Sequence, residues 1–230
     1  MTDIMEKALA PLDALLVDFA AGRLCPQEEL LVSAARQLNP DIRARIAQFE
    51  ALGAQAMCAA EPAPVQADCL AKVMKKIGDC APESKTHSKA PCPDAPAGID
   101  IPRTVYALIT ALCASQPQRW RRMTRGVAHM ELHLVAAAPV QKRLQMMKLA
   151  PHQATPRHGH GGTEITLVLQ GSFTDSLGTF SKGDVVVLTD PRLVHQPQAG
   201  EEGCICLTLT ESRLRFRDPL MRVMNAFWRV

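Results

Sequence analysis

His158-Gly-His160-Gly-Gly-Thr-Glu164-Ile-Thr-Leu-Val-Leu-Gln-Gly171 is the stretch whose reading decides this chain. In an extended segment, side chains two apart point to the same face, so His158 and His160 can offer two imidazoles to one ion. Glu164 opens the apolar run that follows, and His195 can close the set from a separate strand once the sheet rolls up. Three imidazoles and a carboxylate suit one first-row divalent ion, zinc first, with iron, manganese, nickel and copper compatible by ligand type.

The stretch resembles the first cupin motif, two His, a Glu and a closing Gly at that family's spacing. Gly183-Asp184-Val-Val-Val-Leu-Thr-Asp-Pro191-Arg-Leu-Val-His195 falls where the second motif supplies its His. The usual Pro-x-Gly before that His is missing, which changes the loop and leaves the ligand set intact. The resemblance implies a C-terminal β-barrel, the double-stranded β-helix, holding a metal on His158, His160, Glu164 and His195.

Working outward, the runs 127–135, 140–149, 164–170, 184–188 and 204–209 favour strands, and Gly, Pro and Asp punctuate them as in a small barrel or sandwich. The run from Thr104 to Ala114 fits helix or strand. Arg119-Trp-Arg-Arg-Met-Thr-Arg125 reads as the solvated face of a strand rather than a nucleic-acid patch. His129 and His133 are four apart, about 13 Å in a strand, so they are not co-ligands. Cys204 and Cys206 share a strand face, where buried thiols behave as small hydrophobes, and a redox role needs a lowered pKa and access. His152 reads as a surface histidine, with a supporting role beside the ligands as the alternative.

Toward the N-terminus the period changes to that of helices. Leu12, Leu15, Leu16 and Phe19 form one stripe, and Leu30, Leu31, Ala34, Ala35 and Leu38 follow Pro26 on another. Asn39 caps a third helix that starts at Pro40 and carries Ile42, Ile46, Phe49 and Leu52. A fourth segment from about Val65 places Leu70, Val73, Met74 and Ile77 on one side, and the four together predict a compact helical module. The next stretch is rich in Pro and small polar residues and reads as a linker. Its Cys80, His87 and Cys92 match no zinc-finger spacing. The chain thus divides into a helical domain (1–78), a linker (79–103) and a metal-binding β domain (104–230), a multidomain α plus β protein.

Composition sets outer limits. A net charge of +3 over 230 residues is too small to argue for a nucleic-acid surface. No run of 18 or more apolar residues and no signal peptide is found, so the expected location is the cytoplasm, with no membrane partner. Eight scattered cysteines without a secretory signal are expected as reduced thiols.

With the β domain, the helical module resembles the anti-sigma domain of ChrR-type regulators. The resemblance rests on Phe19-Ala-Ala-Gly-Arg-Leu, Pro40-Asp-Ile-Arg-Ala-Arg, Glu50-Ala-Leu-Gly, the cupin block, and the C-terminal run from Cys204-Ile-Cys206 to Phe227-Trp-Arg-Val. It implies that the helices sequester an extracytoplasmic-function sigma factor and that the cupin senses oxidative stress or a ligand. The family's His-x3-Cys-x2-Cys site is replaced by Ala35, Asn39 and Ile42, and the first twenty-four residues hold no histidine. No zinc is therefore expected in the N-terminal domain. Burial of Ile42, worth about 1.5–3 kcal/mol, and the Asn39 cap, about 1 kcal/mol, replace only part of the roughly 10 kcal/mol that a structural zinc supplies. The alternative is a metal-dependent cupin enzyme, dioxygenase-like, with a helical appendage. No base or nucleophile beyond the ligands can be named for it, and the sequence leaves open whether the chain forms a homo-oligomer.

Overall fold

The structure, a computed structural model, describes residues 2–79, 100–112, 119–134, 142–212 and 215–216. Helix α1 (Thr2–Ala20) buries Leu12, Leu15 and Leu16, the stripe its period predicts. Helix α2 (Pro26–Leu38) starts at its proline, with the Cys25 N–H donating to Glu28 Oε2 at 3.1 Å, and buries Leu30, Leu31, Val32, Ala34 and Ala35. Asn39 ends α2 and begins α3 (Pro40–Ala59). Its Oδ1 accepts from the Asp41 and Ile42 N–H groups at 2.9 and 3.3 Å, the cap the sequence predicts. An Arg45–Asp13 ion pair ties α3 to α1.

Two helical expectations change. In α3 burial ends after Ile46 and half-buried Phe49, and Leu52 is exposed. Helix α4 (Cys69–Asp79) buries nothing: Leu70, Val73, Met74 and Ile77 are all exposed. The closed part of the module is three helices, because an amphipathic period marks a face suited to burial without supplying what covers it. The ambiguous run is settled as helix α5 (Arg103–Leu112), which buries Val105 and Ile109, four apart on one face.

The strands are β1 (Arg121–Thr124), β2 (Val127–Leu132), β3 (Arg143–Leu149), β4 (His158–Gly159), β5 (Glu164–Asp175), β6 (Gly178–Ser181), β7 (Val185–Leu188), β8 (Val194–His195), β9 (Gln198–Thr210) and β10 (Arg215–Phe216). All pairings between them are antiparallel. One sheet runs β1-β2-β3-β9-β5-β6 with β7 also on β5, and a smaller sheet runs β10-β4-β8. This is the antiparallel cupin-like sheet that the sequence leads one to expect.

Strand alternation gives the central strands two buried faces. Ile165, Leu167, Leu169, Ile205, Leu207, Leu209, Leu144 and Met146 join Leu16, Leu30, Leu31 and Ile46 of the helices in one continuous core. Their neighbours Glu164, Thr166, Cys204, Cys206, Thr208, Gln145 and Met147 face the opposite way, into a cavity. The helices therefore roof the outer face of the sheet. At the α2–α3 corner the Asn39 Nδ2 donates to the Gly183 carbonyl at 3.1 Å. Gly183 sits at φ 93°, and a Cβ there would lie 3.3 Å from the Leu38 carbonyl oxygen, so a side chain would strain both the turn and the contact.

Candidate metal centre

Short strands β4 and β8 pair antiparallel with His158 opposite His195. His160 follows β4 by one residue, and Glu164 is the first residue of β5, reached through Gly161-Gly162-Thr163. The four side chains are buried, and one donor atom from each lies within 4.8 Å of all the others. His160 Nε2 is 2.9 Å from His195 Nε2 and 3.0 Å from Glu164 Oε2. A tetrahedral ion with bonds of about 2.0–2.1 Å holds its ligand atoms about 3.3 Å apart, so this spread suits a single small cation.

The far ring nitrogens orient two of the ligands. His158 Nδ1 donates to the Pro156 carbonyl at 2.7 Å, and His195 Nδ1 faces Asp175 Oδ2 at 3.0 Å. Those bonds turn the Nε2 lone pairs inward and fix the tautomers. Burial, reinforced by the His195 ring, pushes His158 down to about 4. Burial and both neighbouring imidazoles push His160 down to about 3. Both rings are thus neutral near pH 7, the form a metal requires. Burial pushes Glu164 upward, against a hydrogen bond from the Thr166 hydroxyl at 3.1 Å. Burying a carboxylate with one hydroxyl donor among three imidazoles is costly, and a divalent cation is the partner that this donor set fits.

Beside the four groups lies a cavity of about 690 Å³ including its mouth, walled by Met123, Met147, Leu149, Phe173, Val186 and Leu188. Cys204 and Cys206 share its wall, as strand alternation predicts, with the sulfurs 3.3 Å apart. The hydrogen bond to Cys204 and burial push the Cys206 thiol well up, so it rests protonated. Sequence reasoning missed Asp175. It stands twenty residues before His195 at the tip of the β5–β6 hairpin, and only the pairing of strands brings the two together.

The remaining candidates fall elsewhere. His129 is buried in β2, and His133, beyond the end of that strand, is exposed and 4.0 Å from Glu131. His152 is exposed at φ 58°. Arg121 and Arg122 are both exposed on the edge strand β1, so their charges are solvated as expected, although neighbours in a strand point to opposite faces. Cys80, His87 and Cys92 lie outside the described residues, as does most of the C-terminal run. No helix among the described residues is long and apolar enough to cross a membrane.

Residues 110–212 match the model of the ChrR cupin-like domain. Over 95% of its length the chain is 33% identical to the anti-sigma-E factor ChrR of Cereibacter sphaeroides, covering 96% of that protein. The crystal structure of Rhodobacter sphaeroides SigE in complex with the anti-sigma ChrR is similar to it at a TM-score of 0.63 and 31% identity, over 86% of this chain and 96% of that one. An RmlC-like cupin protein from Ralstonia eutropha aligns with 47% of the chain at 21% identity and a TM-score of 0.39.

Proposed function

The chain belongs to the ChrR family of anti-sigma factors, and we propose that it sequesters an extracytoplasmic-function sigma factor in the cytoplasm and releases it when the cupin site changes state. The observation that carries this is similarity running through helices and barrel alike to a protein named as an anti-sigma factor, at 33% identity over 95% of the chain. It favours the regulator over the enzyme reading, which rests on the barrel alone.

The surface for the sigma factor is the apolar stripe that the fold leaves open. Leu70, Val73, Met74 and Ile77 of α4, with Leu52 and Met57 late in α3, form faces that nothing in the chain covers among the described residues. An exposed apolar helix face of this kind marks an interaction site, and an amphipathic helix laid against a partner's groove is a standard way to use it. The module does this without its family's zinc. Ala35 and Ile42 are 1% and 3% exposed, and Asn39 caps α3.

In the cupin, His158, His160, Glu164 and His195 would hold one divalent metal, zinc by preference for buried imidazoles and a carboxylate. Such an ion, when bound, supplies a Lewis-acidic centre and a strong local charge. Burial keeps His158 and His160 neutral, and the Pro156 carbonyl and Asp175 aim the nitrogens of His158 and His195. An oxidant or small ligand reaching the cavity beside them alters the release equilibrium only by interacting differently with the bound and released states. We also read the chain as dividing at 1–78, 79–103 and 104–230.

The test is purification of tagged full-length protein from its own host, with mass spectrometry and metal analysis of one sample. A stoichiometric sigma factor and about one zinc per chain are expected. Leu70→Asp with Ile77→Asp should lose the sigma factor while keeping the metal, and Glu164→Ala should drop the metal well below one. A chain recovered with metal and no sigma factor would sink the sequestration reading; unchanged metal in Glu164→Ala would sink the site.

A further inference from the structure

The loop carrying two of the candidate ligands is held from outside. Between His160 and Glu164, the Thr163 N–H donates to Glu211 Oε2 at 2.9 Å, the Glu211 N–H donates back to the Thr163 carbonyl at 3.1 Å, and the Gly161 N–H donates to Ser212 Oγ at 2.8 Å. The two glycines make this possible. A Cβ on Gly161 would come within 2.7 Å of Ser212 Oγ, and one on Gly162 within 2.9 Å of Glu211 Oε2.

The other carboxylate oxygen of Glu211 meets Lys142 Nζ at 3.2 Å. That ammonium donates to Glu28 Oε1 at 2.7 Å. Glu28 lies in the first turn of α2, and its remaining oxygen accepts the Cys25 N–H in the capping box. Each carboxylate therefore has one oxygen on backbone and one on Lys142. One backbone belongs to the ligand loop and the other to the start of α2. Lys142 and Glu28 are half-buried, at 23% and 15% side-chain exposure, so solvent screens their attraction less than at an open surface. Burial disfavours charge on both groups, yet the bonds from Lys142 and Cys25 prevail and lower the Glu28 pKa, and the bond to Glu28 prevails and raises that of Lys142.

We infer that Lys142 is a coupling residue, which carries the state of the His158, His160, Glu164 and His195 site to the first turn of α2 by holding Glu211 and Glu28 on one ammonium. The inference rests on the metal reading above and supplies the regulation that reading requires. With an ion held by His158, His160, Glu164 and His195, the 161–163 loop between two of its ligands would be fixed; that loop holds Glu211, Glu211 holds the ammonium, and the ammonium holds the carboxylate that caps α2. A loop released from metal loosens its grip on Glu211, and the α2 cap loses its second anchor.

The experiment is hydrogen exchange followed by mass spectrometry on the full chain, metal-free and with Zn²⁺ alone, alongside metal analysis. Zinc is expected to slow exchange of amides 29–32 in the wild type by about five-fold or more, the low end of ordinary coupling between sites. Lys142→Met should still take up one zinc and lose that difference, and Lys142→Arg should restore it. Glu211→Gln, which keeps an acceptor for the Thr163 N–H, should lose it too and stands in if Lys142→Met does not fold. A zinc-dependent difference that persists in Lys142→Met or Glu211→Gln overturns the coupling, as does a wild type that binds zinc with no change in α2. A wild type that takes up no zinc overturns the metal reading and the coupling with it, and the metal content tells that case apart.

Discussion

At the scale of single residues, the site shows how much a ligand depends on what stands behind it. Asp175 touches no inward-facing donor atom, yet it faces the far nitrogen of His195 and so sets which nitrogen points at the other three candidate ligands. Removing such a partner typically costs ten- to a hundred-fold in metal affinity. Asp175→Asn keeps the acceptor for the Leu177 N–H that shapes the hairpin turn and loses the charge that favours a donating Nδ1. Its zinc affinity, measured by competition with a chelator, should fall by about ten-fold with the fold retained; an affinity equal to that of the wild type would show that the carboxylate charge does not hold His195. His158, His160 and Glu164 were legible from spacing because a strand's two-residue period and the following apolar run are local, and His195 from the likeness of its stretch to a second cupin motif. Asp175 was not, since a carboxylate at a hairpin tip has no sequence relation to a histidine on another strand.

At the scale of elements, Asn39 does the work of a junction. Its oxygen caps α3 and its amide nitrogen ties the α2–α3 corner to the turn at Gly183. The cap was readable from Asn39-Pro40-Asp41, a local pattern; the tie, across 144 residues, was not. A cap is worth about 1 kcal/mol and a hydrogen bond of this kind about as much. Asn39→Ala should therefore destabilise the chain by about 1–2 kcal/mol in urea unfolding. Asn39→Asp, which keeps an acceptor for the cap but has no donor for Gly183, should lose about half of that. Equal losses in the two variants would mean that the tie carries all of the effect and the cap none. Helix α4 makes the complementary point, since its stripe of Leu70, Val73, Met74 and Ile77 was read correctly as a face and wrongly as part of a closed module.

At the scale of the whole molecule, helices and barrel share one apolar core, so unfolding exposes both, and the buried histidines tie its free energy to pH. His158 at about 4 and His160 at about 3 lie below the 6.5 of a free imidazole. As pH falls from 6.5, the unfolded chain binds protons that the folded, metal-free chain refuses. The contribution of these groups is full above 6.5 and is lost toward the folded values, at up to about 1.4 kcal/mol per unit for each group. Glu164, pushed upward, opposes as one group against two. The urea midpoint of metal-free protein should be lower at about pH 5 than at about pH 7, and the reverse order would contradict neutral buried imidazoles. By itself the sequence determined the first four helices, the cap, the principal strands and three of the four candidate ligands, because periodicity, capping and two-residue alternation act within a few residues; His195 followed from the likeness of its stretch to a second cupin motif. Only the tertiary structure decided that α4 lies uncovered among the described residues, that the helices roof the sheet, that Asp175 backs His195, and that Lys142 joins the 161–163 loop to α2. Those contacts join residues distant along the chain, and they exist only once the apolar faces have chosen their partners.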